Sequence, residues 1–82
     1  MAEEVRVFVN KKELRSPKHT SVGALLTLAG FAPGEYALEE RGPNGHIVKE
    51  YKDPSEKIEL HEDEHFTTKY IGPIQPSSQN GR

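Results

Sequence analysis

A single stretch of this chain carries the apolar period of a helix, and that limits the architectures open to it. Within Thr20 to Gly30, Val22, Leu25, Leu26 and Ala29 fall at i, i+3, i+4 and i+7, the spacing that lines one helical face. Thr20 or Ser21 is the natural N-cap, because a side-chain oxygen there accepts an orphan backbone N–H. Gly30 is the natural left-handed residue past the last turn, and Pro33 stops a restart. Gly23 in the first turn costs about 1 kcal/mol relative to alanine, a loss that a close approach of the helix to a sheet would justify. One short helix cannot cover both faces of a sheet. It must lie across one face, so the expected fold class is α+β.

The rest of the patterned chain reads as strands. Val5, Val7 and Val9 alternate with Arg6 and Phe8, the period of a half-buried strand. After the polar break Asn10-Lys11-Lys12, Glu13 to Ser16 returns as a second strand, which Pro17 ends or marks as an edge. Tyr36 to Glu40 alternates with Tyr36 and Leu38 inward. A turn rich in glycine, proline and asparagine, Arg41 to Gly45, separates it from a partner strand over His46 to Tyr51. Ile58 and Leu60 support a short extended piece, and His65 to Tyr70 a last strand with Phe66, Thr68 and Tyr70 on one face. The expected order is β-β-α-β-β-β. The expected core is Val5, Val7, Val9, Val22, Leu25, Leu26, Ala29, Leu38, Ile58, Leu60 and Phe66. From Ile71 onward prolines, glycines and polar residues dominate. This segment cannot bury enough surface to offset its ordering entropy. Residues 1–70 are therefore expected to form the domain and 71–82 a flexible tail.

Composition excludes several function classes. There is no cysteine among the 82 residues, which removes thiol catalysis, zinc–thiolate sites and iron–sulfur clusters and suits a reducing, cytoplasmic setting. The acidic opening Met1-Ala2-Glu3-Glu4 does not read as a signal peptide. No run approaches the roughly 20 apolar residues of a membrane span. A net charge of -2 with interspersed signs calls for neither a nucleic-acid backbone nor an anionic membrane. A monomer is expected.

The order of elements, with Val7-Phe8-Val9 followed by a polar turn, resembles ubiquitin over about Val5 to Tyr70. The likeness is nearer to small bacterial ubiquitin-like domains, some of them in tandem multiubiquitin proteins. It is carried by the Val-Phe-Val-Asn opening, the Leu-Leu-Thr-Leu-Ala-Gly end of the helix at Leu25 to Gly30, and Ile58-x-Leu60 six residues before Phe66. This resemblance implies a β-grasp fold, a mixed sheet with one helix packed on one face. It implies a non-enzymatic protein modifier, activated at its C-terminus by an E1-like enzyme and passed through an E2-like enzyme to target proteins. A JAB-type metallopeptidase would trim or remove it. No cofactor is implied. The conjugated end of such proteins is glycine, because a chain threaded through a narrow enzyme channel must lack a Cβ. Ubiquitin ends in a glycine pair, whereas this chain ends in Gly81-Arg82. Gly81 is the candidate conjugation terminus once Arg82 is removed, and Gly72 serves only if everything from Pro73 onward is removed. Where ubiquitin presents an apolar patch to its readers, the residues expected to face outward here are Ala37, Glu39, Thr67 and Lys69. Phe8 is the remaining apolar candidate for a partner contact.

Other signals have plainer readings. His61-Glu62-Asp63-Glu64-His65 matches H-E-x-x-H by letter, but that motif needs a helix to aim both histidines at one metal. An acidic turn between extended segments is expected, with no metal site. His19 and His46 stand alone. Ser16, Ser21, Thr27 and Ser55 lack a basic partner at catalytic spacing, so no catalytic residue is assigned. Lys11, Lys12 and Lys18 form a small, solvated basic cluster. Two alternatives to conjugation share the expected fold. One is a non-conjugated β-grasp adaptor using its sheet face or a strand edge. The other is a sulfur carrier with a C-terminal glycine thiocarboxylate, which Arg82 opposes.

Overall fold

The computed structural model describes residues 3–72. The strands β1 (Glu4–Val9) and β2 (Lys12–Pro17) form a hairpin, followed by the short strand β3 (His19–Ser21) and the helix α1 (Val22–Ala29). Then come β4 (Tyr36–Arg41), β5 (Ile47–Tyr51), β6 (Lys57–Glu59) and β7 (Glu64–Tyr70). Five strands form a mixed sheet in the order β2-β1-β7-β4-β5, and β3 pairs with β6 in a separate two-stranded ribbon. The β1–β7 pairing is parallel, while β1–β2, β4–β7 and β4–β5 are antiparallel. The fold is therefore α+β with a mixed sheet and one helix.

The hairpin turns on two residues. Val9 pairs with Lys12, leaving Asn10 at φ 52 and Lys11 at φ 70. Positive φ at both central positions is what a type I′ turn requires, and its twist matches that of the flanking strands. Asn10 tolerates this conformation because its short amide can bond locally. Here its side chain donates to Thr68 Oγ1 at 2.9 Å and accepts from the Thr68 amide at 3.2 Å. The Asn10 amide also donates to Phe66 O at 2.8 Å, so the turn is tied to β7 as well as to its own hairpin.

The helix is capped at both ends by the expected residues. Ser21, with extended backbone, accepts the Ala24 amide at 3.1 Å. Gly30 is left-handed at φ 94, and the Phe31 amide closes back onto Leu26 O at 2.8 Å. The remaining amides at the helix start find partners in a loop: Val22 N–H donates to Glu56 O at 2.9 Å and Gly23 N–H to Pro54 O at 2.8 Å. Gly23 is thus small for a reason other than the expected one. A Cβ on it would lie 2.9 Å from Pro54 O, so the close approach is to the Asp53–Glu56 loop rather than to the sheet.

Nine of the expected core residues form one buried cluster: Val5, Val7, Val9, Val22, Leu25, Leu26, Leu38, Leu60 and Phe66. Ala29 and Ile58, also expected there, are only partly buried and pack at its rim with Tyr36, Phe31 and Tyr51. Ala37 departs further. It sits opposite Lys69 on the other face of the sheet, yet is fully buried. A methyl group on an interior strand is shadowed by the longer side chains around it, so facing outward does not expose it.

The strand β3 was not expected, because three polar-leaning residues carry no period. It forms because its backbone groups meet those of β6, with His19, Thr20 and Ser21 opposite Glu59, Ile58 and Lys57. Pro17 pairs with Glu4 on the outer strand β2, an edge position where a missing N–H is harmless. The expected tail begins in an ordered way, since the amides of Ile71 and Gly72 both donate to Glu35 O, at 2.8 and 3.1 Å.

Candidate interaction face

Strand alternation sends Val7, Val9, Leu38 and Phe66 toward the helix, so Phe8, Ala37, Glu39, Arg41, His65, Thr67 and Lys69 lie on the opposite face. Register then sets a row across the sheet, in which Glu13, Phe8, His65 and Arg41 are successive neighbours. Phe8 is half-buried here rather than freely exposed. Its ring stacks on His65 with centroids 4.7 Å apart and planes 9° apart, and the Arg6 guanidinium stands 5.8 Å from its centroid. Arg6 is held by Asp63, whose Oδ1 lies 2.8 Å from Nη2 and accepts from Nε at 2.9 Å. That hydrogen bond and charge raise the Arg6 pKa further.

Beside the stack, Glu39, Thr67 and Arg41 form a polar network. Thr67 Oγ1 donates to Glu39 Oε1 at 2.9 Å, and Arg41 Nε donates to Thr67 Oγ1 at 3.0 Å. Arg41 Nη2 is 3.6 Å from Glu39 Oε1, and Nη1 donates to Gly45 O at 2.8 Å. Glu39 was expected to be exposed but keeps only 8% of its surface. A carboxylate so placed needs partners, because an unpaired buried charge is costly, and the network supplies them. The guanidinium in turn pins the Gly42–Gly45 turn against the sheet. A shallow groove of about 430 Å³ opens between this turn and the hairpin loop, lined by Lys11, Arg41, Pro43, His65, Phe66 and Thr67 among others.

The histidine motif does not assemble a metal centre. Glu64 and His65 lie in β7 and Asp63 takes a left-handed φ of 65, so the segment is a turn entering a strand. His65 faces Phe8, while His61 Nδ1 is 3.5 Å from Glu64 on the other side of the strand. Glu62 accepts the Arg6 amide at 3.3 Å. Among the described residues, no group of three or more histidine, cysteine, aspartate or glutamate side chains is placed to hold a metal ion. The hydroxyls serve structure: Ser21 caps the helix, Ser16 donates to Pro17 O, and Ser55 donates to Asp53, whose pKa is lowered by those contacts. His19 and His46 are exposed, and Lys18 pairs with Glu59 and more distantly with Glu3.

Of the two candidate termini, Gly81 lies outside the described residues. Gly72 is hemmed in, since a Cβ there would come within 3.0–3.2 Å of the Tyr70 ring. Two features escaped the sequence reading. The first is a carboxylate pair on the helix side of the sheet margin, Glu40 and Glu64. Burial and the hydrogen bond and charge of Glu64 push the Glu40 pKa up. Tyr51 donates to Glu40 Oε1 at 3.1 Å, and burial, then the nearby carboxylates, push its own pKa to about 12. The second is β5, an outer strand that leaves Ile47 and Val48 at 47% and 60% exposure.

Among the described residues no helix is long and apolar enough to cross a membrane. Comparison with protein-family models, with curated proteins and with solved structures found no match.

Proposed function

We propose that this chain is a ubiquitin-like β-grasp protein that acts as a modifier: an E1-like enzyme activates its C-terminus and an E2-like enzyme transfers it to target proteins, with a JAB-type peptidase acting on the product. The observation that supports this reading is the sheet order β2-β1-β7-β4-β5 with parallel β1 and β7 at its centre. That order, with one helix crossing one face, is the arrangement the sequence resemblance implies. Function by fold alone is an analogy, so the conjugation chemistry must be tested directly. Gly81 is the better candidate for the activated carboxyl group. Gly72 is packed on Tyr70 and bonded to Glu35, contacts that would have to break before an enzyme could draw it in.

The test compares a form lacking Arg82, which ends at Gly81, with a form lacking both Gly81 and Arg82, each incubated with the cognate E1-like enzyme and ATP. Adenylate formation by the longer form alone supports Gly81, and equal activation of both excludes it. Intact mass of the protein recovered from its own cells reports whether conjugates exist. If no processed or conjugated form is found, a non-conjugated adaptor is the better reading. The outer edge of β5, which pairs with no further strand among the described residues and carries the exposed Ile47 and Val48, specifically favours that alternative.

A further inference from the structure

Two glutamates meet where charge alone would keep them apart. Glu40 lies opposite Phe66 in the β4–β7 register, so Glu64, two residues before Phe66, is its diagonal neighbour on the helix side of the sheet. The two carboxyl groups are hydrogen-bonded to each other. A carboxylate only accepts, so this contact requires one proton between them. The remaining contacts leave that proton on Glu40. Glu64 Oε1 accepts the His61 amide at 2.9 Å and Oε2 lies 3.5 Å from His61 Nδ1, donors that favour the charged form of Glu64. Glu40 Oε1 accepts from the Tyr51 hydroxyl at 3.1 Å. Of the other charges here, Lys49 stands 5.1 Å from the Tyr51 ring centroid and 3.9 Å from Glu56, and Asp63 is committed to Arg6.

Glu64 also closes the turn that begins at His61, and this turn reaches the other face of the sheet. Asp63, left-handed at φ 65, donates its amide to Arg6 O at 2.7 Å and accepts from Arg6 Nε at 2.9 Å. Glu62 accepts the Arg6 amide at 3.3 Å. Arg6 in turn flanks the Phe8–His65 stack. The turn thus joins the carboxyl pair on one face to the candidate interaction face on the other. We propose that residues 61–64 form a proton-operated latch: with one proton between Glu40 and Glu64 the turn is closed and holds Arg6 beside Phe8, and with both carboxylates charged it loosens and releases Arg6. The direction follows from Glu40, whose pKa is raised in the folded chain. The closed form is fully favoured below the ordinary carboxyl range and is lost as pH rises through the raised value. The interaction face is therefore more ordered in acid, whether or not the chain is conjugated.

NMR of the labelled full chain tests this between about pH 4, near the ordinary glutamate value, and about pH 8. In the wild type one carboxyl of the pair should titrate above the ordinary range, and the Arg6 Nε–H resonance should move with the same midpoint. Amide hydrogen exchange, corrected for its intrinsic pH dependence, should show protection at His61 and Asp63 falling by about tenfold over that span, what losing a hydrogen bond to a charged group gives. Glu40→Gln keeps an acceptor for Tyr51 and a donor for Glu64 with no proton to lose, so its turn should stay protected throughout and Arg6 should stop responding. His65 is also ionisable and lies on the Arg6 face; Glu40→Gln leaves it untouched and so separates the two. In His61→Gln the response should persist. The proposal is overturned if both carboxyls titrate in the ordinary range or if Arg6 and the turn amides do not follow the pair. It is also overturned if Glu40→Gln retains the response or His61→Gln abolishes it, since an imidazole would then be the switch.

Discussion

Replacing Gly23 with alanine sets two effects of known sign against each other. In an exposed helix the change is favourable by about 1 kcal/mol, because glycine loses more backbone entropy on folding. At this site the new Cβ would lie 2.9 Å from Pro54 O and 3.2 Å from Pro54 Cβ. The nearer atom is a backbone oxygen, which cannot swing away as a flexible side chain would. Relief requires the Asp53–Glu56 loop to shift, and that loop accepts the Gly23 and Val22 amides at 2.8 and 2.9 Å. Overpacking of this kind costs about 1–3 kcal/mol. A buried amide left unsatisfied costs a further amount of about 1–3 kcal/mol. Together they exceed the propensity gain, so Gly23→Ala should lower stability by about 1–5 kcal/mol net. Urea denaturation followed by far-UV circular dichroism measures this, with an unchanged m-value showing that the same surface unfolds. Ala24→Gly is the control: Ala24 is exposed in the same turn, and there the loss should be about 1 kcal/mol from propensity alone. A Gly23→Ala variant as stable as wild type, or more stable, would refute the docking of the helix start on Pro54.

Three further outcomes follow from the core and the carboxylates. Leu26→Ala removes a fully buried side chain and should cost about 2–5 kcal/mol; a change below about 0.5 kcal/mol in denaturation, typical of a surface site, means that the helix face is misassigned. Thr67→Val keeps the shape but withdraws the hydroxyl that donates to buried Glu39 and accepts from Arg41, so a loss of about 1–3 kcal/mol is expected by thermal or chemical melting, with Thr67→Ser close to wild type. Because Glu40 has a raised pKa in the folded chain, its contribution to stability is present below its ordinary carboxyl pKa and is lost as pH rises through the raised value. Glu40→Gln should therefore stabilise the protein at neutral pH and bring no gain in acid, and melting curves at several pH values that show a uniform effect would count against the Glu40–Glu64 pairing.

What could be read from the sequence was local. Ser21, Leu25, Leu26 and Gly30 announce the helix and its ends because period and capping chemistry act within a few residues of chain. The strands β1 and β7 are legible from alternation for the same reason. Register is not local. That Phe8 lies opposite His65, and that Glu39, Thr67 and Arg41 converge, depends on pairing β1 and β4 with a strand dozens of residues away. Alternation placed Ala37 and Glu39 on the correct face but could not report their burial, which is set by neighbouring strands. Asn10-Lys11 gave a polar break by composition. Its left-handed backbone emerges only from the two-residue spacing between Val9 and Lys12.

The position of β7 has a consequence for how the chain comes to be folded. It is the last strand among the described residues, yet it lies between β1 and β4. Until residues 64–70 are available, the β1–β2 hairpin and the β4–β5 hairpin have no strand to join them, and each is the kind of isolated pair that is marginal in water. The apolar faces of Val5, Val7, Val9 and Leu38 must wait through synthesis of most of the domain before their common neighbour Phe66 arrives. Bringing distant segments together is slow, because chain entropy is spent before the contacts repay it. A ribosome-bound intermediate ending before Glu64 should therefore remain open to proteases and chaperones, and protection should appear in one step once β7 has cleared the exit tunnel.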